Sequence, residues 1–77
     1  MEEKLLNIFN ELFDINITNS AEDVKMEESD EWNSLKHMEL ISLIEEKLQI
    51  ELTYDEILKM VSLKEIKAVL KQKGVAN

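Results

Sequence analysis

Apolar residues recur at intervals of three and four through most of this chain, and little in the sequence can break that pattern. The 77 residues include no proline and one glycine, Gly74. Such spacing lines one face of a helix, whereas a strand would need a period of two. The abundance of Leu, Lys and Glu favours the same choice. A first helix is predicted from about Glu2 to Phe13, with Leu5, Ile8, Phe9, Leu12 and Phe13 as its inner stripe. Glu2 and Glu3 suit the positive end of its dipole. A second is predicted from Ser34 to Leu48, with Leu40, Ile41, Ile44 and Leu48 inward and Leu35, Met38 and Leu43 widening that stripe. Thr53 and Glu56 have capping-box spacing and open a short third helix to about Met60. Ser62 and Glu65 repeat the signal and open a fourth to about Lys73, with Leu63, Ile66, Val69 and Leu70 facing inward. Lys67, Lys71 and Lys73 suit its C-terminal end, and Gly74 stops it.

Residues 14–33 carry no such stripe. Phe13, Ile15 and Ile17 alternate, but a lone strand has nothing to pair with, so an extended segment pinned by its isoleucines is expected. Ser20-Ala21-Glu22-Asp23 fits the start of a single helical turn, and Val24, Met26 and Trp32 anchor the rest. The expected fold is all-α: one domain over residues 1–77, a small bundle of three principal helices plus one short helix, with a long loop between helices 1 and 2.

The same sequence excludes several kinds of function. There is no cysteine and one histidine, His37, so no metal site is expected. The acidic run Glu27-Glu28-Ser29-Asp30-Glu31 lacks the alternating ligands and central glycine of a calcium loop. No apolar stretch is long enough for a membrane span and no leader is evident, so the expected compartment is the cytoplasm, without membrane insertion. A formal net charge of −8 disfavours nucleic acid and favours basic partners. The charge is uneven: residues 1–56 hold sixteen acids and four lysines, while residues 57–77 hold one acid and five lysines.

Chemistry concentrates in Trp32-Asn33-Ser34-Leu35-Lys36-His37-Met38-Glu39-Leu40. Ser34 lies where a loop becomes a helix. Asn33 or Ser34 can simply cap that helix. An exposed serine there can also carry a phosphodiester, favoured by the free amides and the dipole of the helix start, with Lys36 adding a positive charge. Ser34 and His37 are three apart and could touch, but a hydrolase would also need an orienting acid, an oxyanion hole and a pocket.

This stretch resembles the acyl carrier protein family, whose signature is Asp-Ser-Leu followed by a helix with Glu-Leu and later paired acids. The matching text is Trp32-Asn33-Ser34-Leu35, then Glu39-Leu40, then Glu45-Glu46. Ile50 to Glu56 is similar to the family's approach to its short third helix, and Leu63 to Leu70 to its last helix. The resemblance spans roughly Glu3 to Lys73. It implies a non-catalytic carrier with 4'-phosphopantetheine on Ser34, flanked by Asn33, Leu35 and Lys36. The implied partners are a phosphopantetheinyl transferase and acyl-loading and acyl-transfer enzymes with basic docking patches. Glu39, Glu45 and Glu46, with Asp55 and Glu56, correspond to the family's docking acids, and Met38 to a contact beside them. Leu40, Ile44, Met60, Ile66 and Leu70 are the candidate lining for a sequestered acyl chain, and a monomer is the family's default. Two positions depart from the pattern. Asn33 replaces the aspartate that assists the transferase, and Lys36 replaces an acidic or small residue. The alternatives are an unmodified acidic helical adaptor for a basic protein, or an aminoacyl or peptidyl carrier of the same fold.

Overall fold

The three-and-four spacing becomes helix wherever it was read. The computed structural model of the chain describes residues 2–14 and 23–74. Its helices are α1 (Glu2–Phe13), α2 (Ser34–Leu48), α3 (Tyr54–Lys59) and α4 (Leu63–Gln72), with a 3-10 turn at Met26–Glu28 and no strand among the described residues. The protein is therefore all-α, with α1 packed on α2 and α3 on α4. Leu5, Ile8, Phe9 and Phe13 of α1, Leu40, Ile41 and Ile44 of α2, Met60, and Leu63, Ile66, Val69 and Leu70 of α4 form one buried cluster with Trp32. Leu12 and Leu48 lie half-buried at its edge.

Each helix boundary has a local cause. Asn33 begins α2: its Oδ1 accepts from the Lys36 amide at 2.9 Å. Thr53 and Glu56 make the reciprocal box before α3, at 3.2 Å for the Glu56 amide to Thr53 Oγ1 and 2.8 Å for the Thr53 amide to Glu56 Oε1. The second expected box is only half made. Ser62 Oγ accepts from the Glu65 amide at 3.1 Å, but the Glu65 carboxylate accepts from the Ser62 hydroxyl at 3.3 Å rather than from its backbone. Asp23 completes the start of α4 from the far side of the sequence, its Oδ1 accepting from the Lys64 amide at 3.0 Å. Gly74, at φ 82°, lies just beyond the last turn of α4, where only glycine turns freely.

Residues 23–33, the described end of the first connection, make more defined contacts than their composition predicts. Asp23 is not helical, and a 3-10 turn lies at Met26–Glu28. Ile15, Ile17 and Ser20 to Glu22, which carried the extended and helical expectations, lie outside the described residues. The segment that follows does find a pairing partner. Lys25 forms an antiparallel bridge with Ser62, the Met26 amide donates to the Val61 carbonyl at 2.9 Å, and the Leu63 amide donates to the Val24 carbonyl at 2.8 Å. The entrance to α4 offers the backbone groups that a lone strand would lack.

Two features of α2 also differ from expectation. Leu35 and Met38 do not widen the buried stripe: they are 72% and 52% exposed, and His37 turns inward in their place. The helix ends without glycine, on Gln49 in the left-handed region at φ 54° and ψ 51°. There the Ile50 amide reaches the Glu45 carbonyl at 3.2 Å. A side chain in that conformation is strained, and glycine is not. Gln49→Gly is expected to stabilise the fold by about 0.5–1 kcal/mol, the relief exceeding the extra entropy of glycine in the unfolded chain. Denaturant midpoints of the two proteins measure it.

Candidate functional site

Ser34 is the first residue of α2 and is exposed. The cap that either neighbour could provide comes from Asn33, whose backbone carbonyl also accepts from the His37 amide at 2.8 Å. The Ser34 hydroxyl makes no hydrogen bond among the described residues. The amides of Ser34 and Leu35 precede the first internal bonds of the helix and face outward with it. An exposed hydroxyl, two open amides and the positive end of a fifteen-residue helix thus meet at one point.

The surface around this point is part acidic and part apolar. The Lys36 ammonium lies 3.8 Å from Glu39, an exposed pair of little energetic weight. Leu35, Met38, Glu39, Ser42 and Leu43 line a groove of about 410 Å³ along α2. A second groove of about 400 Å³ lies on the other side, between Leu12, Phe13 and Asp14 of the α1 end and Glu31, Asn33 and Lys36. Glu46 and Asp55 are exposed. The remaining two expected docking acids have structural partners. Glu45 Oε2 accepts from the Leu52 amide at 2.9 Å and fastens the turn after α2. Glu56 completes the α3 box and pairs with Lys73 at 2.9 Å. The Thr53 amide, then the Lys73 ammonium, hold the Glu56 carboxyl below its ordinary value of 4.5.

Leu40, Ile44, Met60, Ile66 and Leu70, the candidate lining residues, are all fully buried and belong to one cluster. They are brought together in the core, while Ser34 lies on the surface.

The residues not anticipated are Trp32 and His37 as a pair. Trp32 Nε1 donates to His37 Nδ1 at 3.0 Å, and His37 Nε2 lies 2.9 Å from the Ile57 carbonyl oxygen. The side chain of His37 therefore fixes the first turn of α2 to the preceding loop and to α3. One tryptophan and one histidine five positions apart were the available signal. The exposed Tyr54, Leu58 and Val61 on and after α3 were not anticipated either. Among the described residues no cluster of His, Cys, Asp and Glu could hold a metal ion, and no helix is long and apolar enough to cross a membrane.

Comparison with protein-family models, curated proteins and solved structures gave no match.

Two outcomes follow from the geometry. Asn33→Ala is expected to cost about 1 kcal/mol, the usual value of a helix cap, while Ser34→Ala changes stability by less than about half that. Thermal or denaturant unfolding of the two variants separates them. The lowered Glu56 value also sets a pH dependence. Its stabilisation is complete above the ordinary carboxyl value of 4.5 and is lost as pH falls through the lower folded value. The melting-temperature gap between the wild type and Glu56→Gln should be constant above that value and close below it.

Proposed function

We propose that this chain is a carrier protein of the acyl carrier kind, with phosphopantetheine joined through its phosphate to Ser34 Oγ. The observation that carries the reading is the division of labour at the start of α2. Asn33 does the capping, which leaves the Ser34 hydroxyl exposed and uncommitted. A serine needed for the cap would lose that bond on modification; this one would not.

The residues present fit such a group. A phosphodiester on Ser34 would stand at the amides of Ser34 and Leu35 and at the positive end of the α2 dipole, with Lys36 two residues on. When bound, the arm supplies a thiol that holds an acyl group as a thioester. The protein supplies orientation and recognition and catalyses nothing itself. Glu46, and Glu39 through its weak exposed pair with Lys36, are the α2 acids that meet a basic partner, and they act on encounter and alignment in a salt-dependent way. Leu35 and Met38 add apolar contact beside the attachment point. Glu45 and Glu56 contribute mainly by holding the turn after α2 and the start of α3. The partners are a phosphopantetheinyl transferase and the enzymes that load and withdraw the acyl group, in the cytoplasm.

The test is an intact-mass spectrum after incubation with coenzyme A and a broad-specificity transferase. One phosphopantetheine is expected to be added, and none in Ser34→Ala. Asn33→Asp is expected to be modified faster, because it restores the charge that the family presents to the transferase. Absence of any addition, including to Asn33→Asp, would overturn the carrier reading and leave an unmodified acidic adaptor.

A further inference from the structure

His37 is only 8% exposed, and both of its ring nitrogens are engaged. The indole N–H of Trp32 can only donate, and the carbonyl of Ile57 can only accept. One form of the ring satisfies both: the neutral imidazole with its hydrogen on Nε2. Nδ1 then accepts from Trp32 at 3.0 Å and Nε2–H donates to Ile57 at 2.9 Å.

A second proton must go to Nδ1, where it would face the indole N–H. Two donors cannot hold that distance, so the indole loses its partner. The bond to Ile57 survives and gains from the new charge. The response is therefore one-sided. α3 stays attached to α2, while Trp32 loses its polar anchor and keeps only its ring contacts with Phe9 and Phe13.

No neighbouring charge opposes this. The charged groups on the elements around the ring are Lys36 and Glu39 on α2, and Asp30 and Glu31 before Trp32. On α3 they are Asp55, Glu56 and Lys59, and on α1, which packs on Trp32, Glu11 and Asp14. Lys36 is paired with Glu39, Glu56 with Lys73, and none is paired with the imidazole among the described residues. A charge placed on His37 has no carboxylate to compensate it.

We propose that Trp32 and His37 form a proton-operated latch between residues 23–33 and the first turn of α2, closed when the imidazole is neutral and open when it is charged. The start of this segment stays bonded to the entrance of α4, and its loosened end at Trp32 runs directly into Asn33 and Ser34. Acid therefore loosens the approach to the exposed serine while α2, α3 and α4 keep their helices. This does not rest on the carrier reading, because it needs only the ring and its two partners.

The chain has one tryptophan and one histidine, so their signals are unambiguous. The experiment follows the imidazole nitrogens and the indole N–H of the ¹⁵N-labelled chain by NMR from about pH 8 to about pH 5, the span in which imidazole changes charge. Far-UV circular dichroism is recorded in parallel. The expected result is a hydrogen on Nε2 at the upper end. As the ring charges, the indole resonance moves in step and indole hydrogen exchange, taken relative to free indole at the same pH, rises about tenfold or more, the loss of one buried hydrogen bond, with the helical signal retained. His37→Gln, which cannot titrate, should show no such step; if it does not fold, the wild-type signals decide alone. A hydrogen on Nδ1 at the upper end would overturn the latch. So would an indole N–H that is unmoved while the ring charges, a ring that stays neutral throughout, or loss of all helix in the same step.

Discussion

The pair of hydrogen bonds through His37 is the constraint on which the rest of the arrangement depends. Helices this short have little cohesion of their own, and α3 has only six residues. The imidazole joins three pieces of backbone: the end of the first connection, the first turn of α2 that follows it, and the last turn of α3, twenty positions further on. Around it the rings of Phe9, Phe13 and Trp32 lie with centroids 5.4–5.6 Å apart, and the Trp32 and His37 rings 5.9 Å apart. Such pairs add roughly 0.5–1.5 kcal/mol each beyond the area they bury. The long connection is thus held at its C-terminal end by an aromatic cluster, and near Lys25 by backbone bonds to the entrance of α4.

The acidic residues divide into two populations that composition cannot separate. Asp23, Glu45 and Glu56 accept from backbone amides, at the starts of α4 and α3 and in the turn after α2. They serve the fold, and each satisfies an amide that a helix or turn would otherwise leave open. Glu46 and Asp55 stay exposed, and Glu39 shares its charge only with Lys36. The surplus negative charge of the chain is therefore presented mainly by the acids that the fold does not use, and on α2 these stand on the helix that starts at Ser34.

Much of this was legible in the sequence, for reasons that differ by element. Intervals of three and four for α1, α2 and α4, and capping boxes for the starts of α3 and α4, placed all four helices to within about a residue at each end. Thr53 and Glu56 announced their box because both partners lie within one turn. The bonds that escaped notice join residues far apart. Asp23 caps a helix 41 positions away, and His37 reaches a carbonyl 20 positions on. Leu35 and Met38 misled for a related reason. Their spacing suits the stripe, but the inner place at that turn is taken by His37, whose partners no local pattern reveals. At the candidate site the exposure of Ser34 was legible from its boundary position, while the choice of Asn33 over Ser34 as the cap required coordinates.

That choice separates two quantities that are often linked. The start of α2 is fixed by an amide oxygen on one residue, and the free hydroxyl belongs to the next. Whatever is joined to or removed from that hydroxyl leaves the cap bond intact, so the start of α2 does not depend on the state of the hydroxyl. A protein that meets this surface before and after such a change finds the same helix in the same place. Its discrimination between the two forms must then come from the attached group itself, since the scaffold carries no memory of it.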